Sequence, residues 1–354
     1  MHLNTIWKLL YSRWQTPATE PIPGYTIMIL VPGDLPFFLK IALETCARQD
    51  PKHLVETIVV LDNRFQPGFA ERLEQWTQDY PAGPVRLVRQ HPLENLLTRH
   101  YSHFHNNYWL QVVRGINAVR TTHVLFHDVD LYIQEPDFLR RHYEACIASN
   151  QVVRGVSRAW DPWFMEQGIN HVVATWESFF DMGWFRSFRP WEHRGRDVMV
   201  AGKPHSCDAT YWAQCQTPAE RIGCEPQEVG FIHFNYVTGN YRRFQMTKGP
   251  FEDAHFRLLL VRLLIDAYDP SGWEYDVPPL EEFIRGTSDR FSKVTYLQPT
   301  THQHYLPFRI LLQSLLDSGL LSADQTSAIA DGIQPFDRIF NFDQAQSPQQ
   351  VLNF

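Results

Sequence analysis

The run Val124-Leu125-Phe126-His127-Asp128-Val129-Asp130 constrains this chain more than any other stretch. An apolar segment of strand character drives straight into two carboxylates with one residue between them. Both acidic side chains then crowd the C-terminal tip of that strand. Like charges that close repel, and one carboxyl pKa rises unless a cation sits between or beside them. A hard divalent metal relieves the repulsion and offers a landing place for phosphate oxygens. The competing reading is a solvated acidic turn after a buried strand, which a bare D-x-D pattern also permits. The order of elements around the run favours the metal.

Residues 25–31 are a continuous apolar run, as a buried parallel strand requires. Pro32-Gly33-Asp34 ends it, and a helix over 36–48 follows. Residues 57–61 form a second such strand, closed by Asp62-Asn63. A helix over 69–79, a short strand over 85–88 and a helix over 106–119 come next. The last helix places Trp109, Val112, Val113 and Ile116 on one face. The fourth strand then delivers Asp128 and Asp130. Strand and helix alternating in this way predict an α/β fold, a right-handed, doubly wound, mostly parallel sheet. Ligands of such sheets bind beyond the carboxyl ends of the strands. Asp62, Asp128 and Asp130 all lie there and are expected to converge on one crevice.

Composition narrows the function classes. With 354 residues the chain can bury a full core, and its net charge of −7 argues against nucleic acid as a partner. No stretch of about eighteen apolar residues appears, and the first residues lack the pattern of a signal peptide. The five cysteines are odd in number and form no C-x-x-C pair, which points to reduced thiols and a cytoplasmic location. Residues 3–14 predict a short helix grouping Ile6, Trp7, Leu10 and Trp14 with Lys8 and Arg13. That helix either docks on the domain or lies in a membrane surface as a peripheral contact. Residues 16–24, with three prolines, read as a linker that closes an N-terminal segment of 1–24.

Residues 25–135 resemble the nucleotide-sugar half of a GT-A glycosyltransferase, close to the family-2-like enzymes. The resemblance rests on the strand ending in Val31-Pro32, on Ile58-Val59-Val60-Leu61-Asp62, on Arg114-Gly115-Ile116-Asn117-Ala118, and on the D-x-D strand. It covers nearly a third of the chain and implies a GT-A catalytic domain over 25–250, with an acceptor half over 136–250. It further implies a nucleotide-sugar donor and a divalent metal, Mn2+ or Mg2+. Pro32 and Arg114 would then face the donor, and Asp62 would hydrogen-bond its nucleobase, uracil. Asp128 would touch the ribose or a metal-bound water, and Asp130 would bind the metal on the diphosphate. A helix-surface charge pair accounts for Arg114 equally well. His127 departs from the usual small or apolar residue, as a packing detail or as a partner behind the metal ligands.

The middle of the chain predicts a helix over 137–150 and a strand over 152–156, followed by a dense aromatic stretch. Trp160, Trp163, Phe164, Trp176, Phe179, Phe180, Trp184, Phe185, Phe188 and Trp191 all fall within it. Aromatic rings give the flat faces of sugars broad contact, which nominates Trp160, Trp163 and Trp184 for the acceptor. A second hydrophobic core explains the same residues. Arg186, Arg189, Arg194 and Arg196 cluster here and could meet a diphosphate or an anionic acceptor.

Asp208 precedes a short helix over 209–215, where a carboxylate serves as an N-cap. By resemblance it occupies the place of the general base of inverting GT-A enzymes. His233 sits in the apolar strand 231–234, as a core histidine or, by the same resemblance, as the metal ligand that follows the base. Residues 239–243 add a turn and two cations. The rival base is Glu252 or Asp253, at the start of a helix over 254–267. Residues 251–354 read as a helical C-terminal region, with helices over 305–317 and 322–330 and a capping box of Ser322 and Gln325. His100, His103 and His105 fit no standard metal spacing.

The expected activity is metal-dependent transfer of a sugar from a nucleotide-diphospho-sugar, a UDP-sugar, to a hydroxyl of a glycan, lipid or small molecule, with inversion. A nucleotidyltransferase is the alternative enzyme, although residues 31–35 lack its Gly-rich basic loop. A non-catalytic protein that binds sugar or a membrane surface is the alternative outside catalysis.

Overall fold

The computed structural model describes residues 3–64, 66–100, 104–159, 162–200, 202–225, 230–247, 255–270, 274–287 and 299–342. Its strands in chain order are β1 (Ile22–Val31), β2 (Leu54–Leu61), β3 (Val85–Val88), β4 (Thr121–His127), β5 (Leu131–Ile133), β6 (Val153–Gly155), β7 (Ser178–Asp181), β8 (Arg196–Val200), β9 (Lys203–Cys207), β10 (Ile222–Cys224) and β11 (Phe231–His233). One sheet takes the order β10-β6-β7-β4-β1-β2-β3. β1 pairs in parallel with β2 and β4, β2 with β3, and β6 with β10. β7 runs antiparallel to both of its neighbours. The fold is therefore α/β with a mostly parallel sheet, and the C-terminal part of the chain adds helices.

The chain divides into two compact units, residues 1–129 with 135–231, and residues 130–134 with 232–354. The first holds the large sheet and the helices α1 (Leu3–Leu10), α2 (Pro36–Ala47), α3 (Phe69–Thr77), α4 (Pro92–His100), α5 (Phe104–Ala118), α6 (Phe138–Ala148), α7 (Pro162–Glu166), α8 (Met182–Ser187) and α9 (Tyr211–Cys215). The second holds α10 (Val237–Thr247), α11 (His255–Tyr268), α12 (Leu280–Arg285), α13 (Pro299–Asp317) and α14 (Ala323–Ile339). Among the described residues no helix is long and apolar enough to cross a membrane. All five cysteines are free.

Side chains alternate across the large sheet, so each strand supplies two cores. Met28, Ile58, Val60, Val124 and Phe126 join Val112 and Ile116 of α5 and Phe185 of α8 in one buried cluster. The opposite face carries Tyr25, whose ring lies 5.1 Å from Tyr143 of α6 and 5.0 Å from Phe179 of β7. Gly115 is a packing residue, because a Cβ there would overlap the Met28 sulfur. The absence of a side chain lets α5 lie directly on β1.

Several sequence expectations change. The proline-bearing stretch before residue 25 is not all linker, since β1 starts at Ile22 and Ile22 pairs with Thr121. The ladder shifts register between Ile22 and Tyr25, which is where a strand tolerates a proline without an N–H. α4, β7 and the β8–β9 hairpin were not foreseen. Residues 239–243 lie in a helix, α10, and Arg242 Nη1 donates to Gln245 Oε1 at 2.9 Å. At the other end, the capping box of α14 is as expected, with Gln325 N donating to Ser322 Oγ at 3.2 Å and Ser322 N to Gln325 Oε1 at 2.8 Å.

The N-terminal helix is docked. Trp7 is fully buried against Trp109, Leu110 and Val113, and Trp14 Nε1 donates to Phe188 O at 2.6 Å. Truncating a buried Trp costs about 3–5 kcal/mol, so this contact is a substantial part of a domain's net stability. Leu9 and Leu10 remain outside, 65% and 53% exposed, so Ile6, Trp7, Leu10 and Trp14 do not share one face.

Candidate functional site

The carboxyl ends of β2, β1 and β4 form one edge of the first unit. Leu61 lies level with Val31, and His127 with Ile29, so Asp62, Pro32 and Asp128 follow directly at that edge. Asp62 is buried, and its Oδ1 accepts from Gly33 N at 3.0 Å and from Arg64 N at 2.9 Å. The carboxylate thereby fixes the turn that Pro32 begins, where Leu35 N donates to Pro32 O at 2.9 Å. Gln111 of α5 braces the same edge, its Nε2 donating to Val31 O at 3.2 Å and Val60 O at 2.9 Å.

Asp128 lies half-buried at the tip of β4, within electrostatic reach of Asp208 and of the Tyr108 phenol. Asp208 is not the N-cap of α9. That position belongs to Thr210, a β-branched residue at φ 65°, in the left-handed region. Such a conformation costs of order 1–3 kcal/mol and persists only where its surroundings enforce it. Here Thr175 Oγ1 donates to Ala209 O at 2.7 Å, and Ala209 N donates to Asp208 Oδ1 at 2.7 Å. Asp208 is exposed as a residue, while its carboxyl is crowded by neighbouring atoms. Burial raises its pKa, the Ala209 N–H opposes that, and the Asp128 charge adds to the rise. Tyr108 of α5, 36% exposed, and Tyr211 of α9 complete the group, and crowding of the phenol together with the two aspartate charges raises the Tyr108 pKa.

In the second unit, Asp130 and His233 face one another. His233 Nε2 lies 3.4 Å from Asp130 Oδ1, and each side chain is only 6% exposed. β5 beside β11 brings them together, with Phe234 N donating to Asp130 O at 3.3 Å. A carboxylate oxygen and an imidazole nitrogen at this separation suit a shared divalent cation.

Other expected site residues are placed elsewhere. Arg114 forms an ion pair with Glu94 of α4 and donates to Arg89 O, so it is committed to packing, and burial raises the Glu94 pKa. Trp184 is a core residue. It is stacked 5.9 Å from Phe180, and its Nε1 donates to Thr217 Oγ1 at 2.9 Å. Phe164, Phe179, Phe180 and Phe185 are likewise buried. Trp163 is half-buried, with one face stacked on His205 at 3.9 Å. Arg186 caps the end of α5, donating to Ile116 O at 2.9 Å, while the Arg194 Nε donates to Asn106 Oδ1 at 2.8 Å. Trp160, Glu252, Asp253 and His103 lie outside the described residues, as do the side chains of His100, His105 and Arg196. Tyr108, Tyr211 and Gln111 were not anticipated. The only signal for Gln111 was a polar residue set among the apolar positions of α5.

No protein-family model matches the chain, and no curated protein matches its sequence. Among solved structures it is similar to a mannosyltransferase, PcManGT from Pyrobaculum calidifontis in complex with GDP-Man and Mn2+. That likeness has 12% identity and a TM-score of 0.41, over 95% of this chain and 89% of that one. It is also similar to S. aureus TarS 1-349 in complex with UDP-GlcNAc, at 10% identity and a TM-score of 0.39, over 90% of this chain and 83% of that one. A third likeness is to the galactosyltransferase LgtC in complex with donor and acceptor sugar analogs, at 12% identity and a TM-score of 0.36, over 48% of this chain and 62% of that one. Similarity at this level leaves the chemistry to be read from the residues themselves.

Proposed function

We propose that the chain is a metal-dependent glycosyltransferase that moves a sugar from a nucleotide-diphospho-sugar, a UDP-sugar, to an acceptor hydroxyl with inversion. The observation that carries this reading is the buried facing pair of Asp130 and His233, of which Asp130 lies three residues after the end of β4 at His127. Asp130 and His233 would hold the cation, which when bound supplies positive charge for the departing diphosphate. Asp62 and the turn at Pro32 bind the nucleoside end. Asp208 takes the proton from the acceptor hydroxyl as the anomeric carbon passes through an oxocarbenium-like state. Its raised pKa and its open side suit a base that must meet an incoming hydroxyl. Trp163 keeps a partly open ring for the acceptor, which is a glycan, a lipid or a small molecule.

Calorimetry with UDP and GDP, with and without Mn2+, tests the reading, together with hydrolysis of a panel of nucleotide sugars. Metal-dependent binding of UDP is the expected result. Asp130→Ala should abolish that binding and the hydrolysis while the melting temperature stays within a few degrees of wild type. Undiminished turnover in this variant overturns the reading.

A further inference from the structure

We infer that His127 and Glu177 are positioning residues that set the direction of Asp128 through a bond buried beneath the strand tip. The inference deepens the proposed function and rests on Asp128 serving the donor site. His127 closes β4 and immediately precedes Asp128. Its Nδ1 lies 2.7 Å from Glu177 Oε2, and both side chains are 0% exposed. The ring points to the sheet face opposite the Phe126 cluster, where the Cys46 thiol of α2 lies beside it. Glu177 Oε1 has no hydrogen-bond partner among the described residues, so the carboxylate is anchored chiefly through His127.

The register shows what the bond replaces. β4 and β7 pair from His123 with Asp181 as far as Phe126 with Ser178. His127 and Glu177 are the next opposed residues, and there the ladder stops because Glu177 adopts φ 47°, the left-handed region. From that point β4 keeps its ladder to β1, at Ile29, but has none to β7. The imidazole–carboxylate bond continues the β4–β7 connection through side chains for one further residue, up to Asp128.

Stability alone does not explain such a pair. Two ionisable groups withdrawn from water lose about as much hydration as their attraction returns, and apolar residues of similar volume often serve as well or better. The left-handed backbone at a non-glycine residue is a second cost at the same spot. Both costs fall one residue before a carboxylate whose angle matters. A rigid tip holds Asp128 in one orientation instead of letting it follow a frayed strand end.

The test uses the full chain, calorimetry with UDP and Mn2+, and a melting curve for each variant. The double variant His127→Leu/Glu177→Met should melt at or above the wild-type temperature, while its Mn2+-dependent UDP affinity falls tenfold or more. Glu177→Gln, which still reaches Nδ1, should stay within threefold of wild type. Wild-type affinity in a folded double variant overturns the proposal. If the double variant does not fold, Glu177→Ala decides by the same affinity criterion, and failure of both to fold assigns the pair to stability and also overturns it. Absence of metal-dependent UDP binding in the unaltered chain is a different result. It removes the glycosyltransferase reading, and this inference with it.

Discussion

The two halves of the large sheet are built on different terms. β3, β2, β1 and β4 are parallel neighbours joined through helices, and β1 alone supplies ten residues. β7, β6 and β10 have four, three and three residues, and β7 runs against both of its neighbours. A long strand covers its share of core with many side chains of ordinary size. A strand of three or four residues presents one or two side chains per face, so large side chains on β7 and on the helix beside it must fill the remaining core. Aromatic rings bury about 150–250 Å² apiece, which is what the short strands require. The aromatic density of residues 160–191 therefore serves the core here, with Phe179 and Phe180 on β7 and Trp184 on α8 stacked against Phe180.

The largest effect is expected from testing that explanation. Trp184→Ala should lower stability by about 3–5 kcal/mol, seen as a fall in denaturation midpoint, because the ring stacks on Phe180 inside the main cluster. UDP affinity per folded molecule should not change. A variant of unchanged stability but weakened acceptor binding would return the aromatic stretch to sugar contact, and the contrast between the halves would fail.

Asp208→Asn probes where the second half meets the chemistry. The amide can still accept from Ala209 N, so the turn at Thr210 keeps its support. Turnover should fall at least about a hundredfold, roughly 2.7 kcal/mol, while donor affinity barely moves. An active Asp208→Asn beside an inactive Glu252→Gln or Asp253→Asn would move the base to the later pair.

The same contrast explains what could be read from the residues. Apolar runs ending in acids announced β1, β2 and β4 and placed Asp62 and Asp128 at one edge, because parallel strands and their helices are encoded locally. The Ser322–Gln325 box was equally local. β7 was hidden, because its antiparallel place depends on β4, a partner some fifty residues away. The capping role that the sequence offered as one reading of Asp208 falls to Thr210 instead, since nothing in the sequence marks Thr210 as left-handed. α4 did carry a signal that was missed. Pro92 suits a first turn, and the Glu94 carboxylate accepts from His91 N at 2.8 Å. Recognising α4 would have supplied Arg114 with its partner.

The smallest effect concerns the outer edge of the short-strand half, where a polar clamp supplements the apolar core. Glu225 Oε1 lies 2.7 Å from His142 Nδ1 and 2.9 Å from Arg154 Nε, tying the end of β10 to α6 and β6. Burial alone would raise this carboxyl, but His142 and Arg154 outweigh it and bring the pKa from 4.5 down to about 2. The folded pKa lies below the unfolded one, so the clamp stabilises fully above about pH 4.5 and is lost as pH falls toward about 2. With solvent screening on its open side, its contribution is about 1–2 kcal/mol. Glu225→Gln should therefore melt below wild type at pH 6, and the gap should narrow steadily between pH 4.5 and pH 2 as the wild-type carboxylate takes up its proton. A gap that stays constant across that window would mean that the short strands rest on their aromatic core alone and that the ion pair adds nothing.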